Sequence, residues 1–223
     1  MKKLLFSFVV LVLFSTNFAY SEFTTEEEFQ NKILEKLWNN DAISAEELSN
    51  EYIQKYPNSS LACLINGIAA QEPQKAVYYL TIAIKDGILN NELLTLAKLT
   101  RAGAYFGEGN EQAAYNDCKN ISEIELEKLP SDLQYLYFWL RTTLEVRYKK
   151  NYYAVISYAS RGLKIKDSAD LYCYRSIAFK NIGLEQNSKN DFILYANLCS
   201  QNHNSDSYAC EILNEYNNSF YKL

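Results

Sequence analysis

The side chains able to do covalent chemistry are few and scattered. A single histidine, His203, sits in the polar run Ser200-Gln201-Asn202-His203-Asn204, where a solvated imidazole is expected rather than a metal ligand or a base. The carboxylates Glu26, Glu27 and Glu28 are consecutive and open an apolar-periodic segment. Negative charge suits a helix start, so they are expected to begin a helix rather than to form an acid–base pair. Five cysteines occur, Cys63, Cys118, Cys173, Cys199 and Cys210, with no CxxC among them, which removes support for a zinc ribbon or a thioredoxin-like redox site. There is no P-loop, GxSxG or HExxH. The chain is therefore expected to be non-enzymatic, with no metal and no cofactor.

The elements that carry these residues are helical. Of 223 residues 48% are hydrophobic, yet only seven are glycine and three proline, too few for a disordered linker or a many-turned β-sandwich. Apolar residues recur at three- and four-residue spacing, as in Phe29, Ile33, Leu34 and Leu37. Thr25 with Glu28, Ser44 with Glu47, and Ser131 with Gln134 fit capping boxes, and Pro57, Gly87, Gly109 and Pro130 mark stops. A net charge of −5 argues against a nucleic-acid partner.

Residues 1–21 read as a secretory signal peptide, with Lys2 and Lys3 as the charged region and Leu4 to Phe14 as an apolar run too short to span a bilayer. Ala19 and Ser21 place cleavage near Ser21, so the mature chain is expected to be periplasmic or secreted, with no integral membrane segment. In that compartment Cys199 and Cys210, flanking one polar loop, are candidates for a disulfide, whereas Cys118 and Cys173 are expected in the core. The three Asn-x-Ser sequons, at Asn58, Asn120 and Asn217, are expected by chance in so asparagine-rich a chain.

The helices repeat. Ala102, Tyr105, Gly109, Ala114, Cys118 and Ile121 have gaps of 3, 4, 5, 4 and 3, and Ser176, Phe179, Gly183, Ser188, Phe192 and Tyr195 have the same gaps. Thr142, Glu145, Lys149, Ala154, Tyr158 and Arg161 follow them more weakly. An arginine precedes each set: Arg101, Arg141 and Arg175. Small residues let paired helices approach closely, the aromatic fills the gap, and the glycine ends the first helix. Ala45 with Ser49 and Tyr52, and Ala76 with Leu80 and Ala83, extend the second-helix pattern towards the N-terminus.

This pattern resembles the tetratricopeptide repeat (TPR), a 34-residue helix–turn–helix unit. Arg141 to Arg175 spans 34 residues; Arg101 to Arg141 spans 40, with about six inserted around Ser122–Pro130. The resemblance implies an all-α, right-handed superhelix of about five antiparallel helix pairs: irregular pairs over 22–90 and TPR-like repeats over 91–200. A capping helix is expected over 201–223, carrying Tyr208, Ile212, Tyr216 and Phe220 on one stripe. It also implies binding of a protein or peptide ligand in a concave groove, in envelope assembly or secretion. Leu99, Phe106, Trp139, Arg147, Lys180 and Asn181 are the groove candidates, with Gly103, Thr143, Val146, Cys173 and Ile177 at neighbouring inward positions. Arg147 and Lys180 favour an acidic or carboxylate-bearing ligand. The family's carboxylate clamp is missing, because the comparable places hold Leu99, Gly103, Trp139, Thr143, Cys173 and Ile177. Nineteen tyrosines serve as core and boundary filler, or as self-association surfaces in the alternative of a secreted structural repeat protein.

Overall fold

The computed structural model describes residues 25–202. Among them every regular element is helical: α1 (Thr25–Trp38), α2 (Ala42–Lys55), α3 (Ser60–Ala69), α4 (Pro73–Lys85), α5 (Asn91–Gly107), α6 (Glu111–Lys119), α7 (Glu123–Lys128), α8 (Ser131–Leu144), α9 (Tyr152–Ile165), α10 (Ala169–Asn181) and α11 (Glu185–Asn202). The expected signal peptide, Cys210 and the expected capping helix lie outside the described residues. None of the described helices is long and apolar enough to cross a membrane.

Two compact units divide at Gln134 and Tyr135, inside α8. In the first, α1 packs on α2, α2 on α3, α3 on α4, α4 on α5 and α5 on α6, so sequence neighbours are spatial neighbours. Its apolar centre includes Ile33, Ala45, Tyr52, Ala62 and Ile65. In the second unit α9 packs on α10 and α10 on α11, around Val155, Cys173, Tyr174, Ile177, Ala178 and Tyr195. The residues inserted between Ile121 and Ser131 form α7, whose Leu126 is buried while Ile124 is exposed.

The helix starts differ from the capping boxes. Asp41, three residues before Ser44, caps α2 by accepting the Ser44 amide at 3.2 Å. Thr25 and Ser131 are themselves the first helical residues of α1 and α8. Asparagine supplies the caps of α5, α6 and α9, through Asn90, Asn110 and Asn151. Its short side-chain oxygen reaches the amide three residues on as well as serine does. The carboxylate run does open a helix, and Glu26 Oε1 also accepts hydrogen bonds from Tyr52 and Ser59, each at 2.9 Å.

One turn design recurs. Asn40, Gly109, Lys150 and Gly183 all have positive φ, and five residues after each comes a buried residue: Ala45, Ala114, Val155 and Ser188. At Gly109 and Gly183 the following amide returns to the carbonyl five residues back, Asn110 to Tyr105 and Leu184 to Phe179, both at 2.8 Å. That geometry closes the last helical turn around a left-handed residue.

The middle copy of this turn corrects the aligned register. Gly109 and Gly183 lie eight residues after Arg101 and Arg175, but Lys150 lies nine after Arg141. The extra residue is absorbed by a π-helical turn over Glu145–Lys149, in which the Lys150 amide reaches the Glu145 carbonyl. Asn151 closes on the same carbonyl at 3.1 Å. The positions of α9 are shifted by one: Val155, Ala159 and Gly162 are buried where the sequence spacing expected Ala154, Tyr158 and Arg161. A single inserted residue turns a helix by about 100°, and a π-turn confines that error to one loop.

Lys150 holds a left-handed conformation that costs an L-residue about 1 kcal/mol and glycine nothing. Lys150→Gly is expected to raise stability by up to about 1 kcal/mol in urea unfolding, because the backbone there is already the one glycine favours.

Candidate functional site

The arginine preceding each repeat set ties neighbouring helices together. Arg101 on α5 donates through Nε and Nη2 to both oxygens of Asp117 on α6, each at 2.7 Å, and through Nη1 to Thr81 of α4 at 3.0 Å. Arg175 on α10 does the same to Asp191 on α11, at 2.7 and 2.8 Å, and to Ser160 of α9 at 2.9 Å. Each guanidinium also faces an aromatic ring one helical turn on, Tyr105 or Phe179, at 5.8 Å. So one side chain ties the two helices of a pair together and reaches the helix before them. Burial opposes the charge of Arg101; the hydrogen bonds and charge of Asp117 outweigh it and hold the pKa above its ordinary value.

Arg141 keeps the clasp with the parts exchanged. Its Nη2 donates to Glu145 Oε1 at 2.7 Å and to the Tyr158 hydroxyl at 3.0 Å, and its guanidinium lies 4.6 Å from the Tyr158 ring centre. The carboxylate thus stands where the other copies have an aromatic, and the aromatic stands where they have aspartate. Once the inserted residue is allowed for, Tyr158 is equivalent to Asp117 and Asp191. The ion pair is nearly sequestered, the side chains being 6% and 3% exposed. A smaller tie is added where α10 meets α11: Ser176 Oγ donates to the Ser188 carbonyl at 2.9 Å, at the places where the earlier pair has Ala102 and Ala114 and no hydroxyl.

The groove candidates separate into buried and exposed. Leu99 is fully buried and so is a packing residue, not a lining one, and the neighbouring Thr143, Cys173 and Ile177 are buried as well. For Thr143, Cys173 and Ile177 the reason is local: side-chain hydrogen bonds tie α8 to α10 along this stripe. Trp139 Nε1 donates to Asp170 Oδ2 at 3.2 Å, and the Tyr174 hydroxyl bonds Thr143. Burial, reinforced by the negative charge of Asp170, pushes the Tyr174 phenol up, although the Thr143 hydrogen bond and Arg147 pull the other way. Trp139 is half-buried by this tether.

Arg147 and Asn181 are exposed, and Lys180 and Phe106 are half-exposed. Asn181 Nδ2 donates to the Ile177 carbonyl at 2.8 Å, fixing the side chain against its own helix. Phe106 belongs to the first unit and the other three to the second. Cys199 is half-buried beside Val155, Tyr174 and Tyr195, and its expected partner Cys210 lies outside the described residues. Among the described residues no group of three His, Cys, Asp or Glu side chains gathers as metal ligands do.

The sequence spacing contained the arginines and the aspartates Asp117 and Asp191, but not the role that joins them. The constant separation of 16 residues between arginine and aspartate was the available signal. Compared with protein-family models, with curated proteins and with solved structures, the chain matches none.

Proposed function

We propose that this chain is a non-enzymatic TPR-like helical-repeat protein, about five helix pairs wound as a right-handed superhelix, that binds a protein or peptide along its first helices. The recurring arginine clasp carries the reading. Three helix pairs are built on one plan, and proteins made of stacked copies work by presenting an extended binding surface. The exposed Arg147 and Asn181 and the half-exposed Lys180 and Phe106 are its contact residues, with a carboxylate-bearing ligand favoured by the two cations. The basic, apolar leader read in residues 1–21 supports a periplasmic or secreted address, in envelope assembly or secretion.

Phe106→Ala, Lys180→Glu and Asn181→Ala combined should leave the far-ultraviolet circular dichroism and melting point unchanged. Crosslinking in the native envelope fraction should then capture a defined partner with the parent chain and lose it with this variant. Equal capture by both would remove the first helices as the binding surface.

Exposed apolar residues on α11, Ile193 at 57% and Leu194 at 43%, support the second reading of a self-associating repeat protein. A mass that rises with concentration in sedimentation would favour it, and a constant monomer mass would remove it.

A further inference from the structure

α11 packs on α10 and leaves its other side exposed. Ser188, Asp191 and Tyr195 face α10: Ser188 accepts from Ser176, Asp191 holds Arg175, and Tyr195 joins the apolar cluster of Tyr174 and Ile177. The opposite side carries Gln186, Lys189, Asn190, Ile193 and Asn197, all exposed. By contrast, α10 lies between α9 and α11.

Two apolar side chains, Ile193 and Leu194, stand exposed on or beside that outer side. They belong to the C-terminal half of the helix, close to Asn202, from which residues 203–223 continue the chain. That stretch opens with the polar run His203 to Asp206 and then brings Tyr208, Ile212, Tyr216 and Phe220 at every fourth position. A return centred on the polar run sets Tyr216 opposite Ile193, because the two are equally far from it along the chain. The same return sets Cys210 opposite Cys199, the pair singled out as a candidate disulfide.

We propose that residues 203–223 return along the outer side of α11 and dock there, Ile212 and Tyr216 covering Ile193 and Leu194, and so close this face to a second copy. Elsewhere in the second unit the chain does the same, α10 packing back on α9 and α11 on α10. A segment joined directly to the helix it covers acts at an effective concentration of about millimolar, whereas a second copy must be recruited from solution. Two exposed apolar side chains also fall far short of the roughly 800 Å² that each partner of a stable dimer buries. The inference stands apart from the binding face under the proposed function, whose contact residues it does not use, and it withdraws the α11 surface from self-association.

α11 has a single lysine, Lys189, and residues 203–223 have a single lysine, Lys222, so a link between the two is unambiguous. Disuccinimidyl suberate, applied to an equal mixture of isotope-labelled and unlabelled full chains, should join Lys189 to Lys222 within one chain. Mass spectrometry would then find links of one isotope only. A straight helical continuation of α11 would hold the two lysines about 50 Å apart, beyond the reagent's reach. Ile193→Asp with Leu194→Asp should lower the yield of the link by at least about fivefold, because docking would bury a charge. Ile212→Asp with Tyr216→Asp should lower it as much, and this pair leaves every described helix unaltered. Gln112→Asp with Asn116→Asp makes an equal charge change at exposed positions of α6 and should leave the yield within about twofold. Equal yields from the parent and both apolar variants would overturn the proposal, as a segment passing α11 without docking behaves so. So would absence of the link in the parent, or links of mixed isotopes, which would seat a second copy on the face.

Discussion

Glu145→Ala is expected to destabilise the protein by about 3–5 kcal/mol in urea unfolding, more than the loss of an exposed charge would. The cost comes from Arg141, whose guanidinium stays in a site only 6% exposed after losing the carboxylate 2.7 Å away. The Tyr158 hydroxyl and ring remain, but neither neutralises a charge. The exchange of parts between the copies supplies a sharper form of the same experiment. Glu145→Tyr combined with Tyr158→Asp would rebuild the layout of Arg101 and Arg175, aromatic one turn on and aspartate on the facing helix. The double variant should recover at least half of the loss seen for Glu145→Tyr alone, a coupling of about 2 kcal/mol. Additive losses would mean that the three arginines do not share one clasp.

Gly67→Ala is expected to cost about 2–3 kcal/mol, measured the same way, although alanine is the better helix former. A Cβ at Gly67 on α3 would sit 2.5 Å from Leu80 Cγ and 3.2 Å from the Leu80 backbone nitrogen on α4. The obstacle is the branch point and backbone of a fully buried residue, not the far end of a flexible chain, so the helices must part. By contrast, Gly103→Ala on α5 meets nothing within 4 Å and should be neutral or slightly stabilising.

Much of the helix plan was legible in the residues, for a physical reason. Ala45, Ala76, Ala114 and Ser188 are small because a neighbouring helix approaches there, and all four are buried as that spacing expected. Gly109 and Gly183 were recognisable as turn residues because only a few residues accept positive φ. The turn between them was not, since Lys150 carries no such signature and one extra residue in a π-turn leaves the spacing nearly intact. That same residue displaced the expected second-helix positions Ala154, Tyr158 and Arg161 by one. The candidate site was legible only in part. Charged Arg147 and amide-bearing Asn181 are exposed, as their side-chain chemistry requires. Leu99 is in the core because a position on an inward helix stripe serves binding or helix packing, and an apolar type alone cannot distinguish the two.

The central claim is that successive helix pairs are copies of one unit. Deleting residues 141–174 tests it most directly, because Arg175 then follows Leu140 and takes the place of Arg141, 34 residues removed at equivalent positions. In a chain of copies each unit leans on its neighbours alone, so the shortened protein should keep the parent's helicity per residue. It should also keep a cooperative thermal transition by circular dichroism. Loss of that transition, with the helicity of an unfolded chain, would contradict the account.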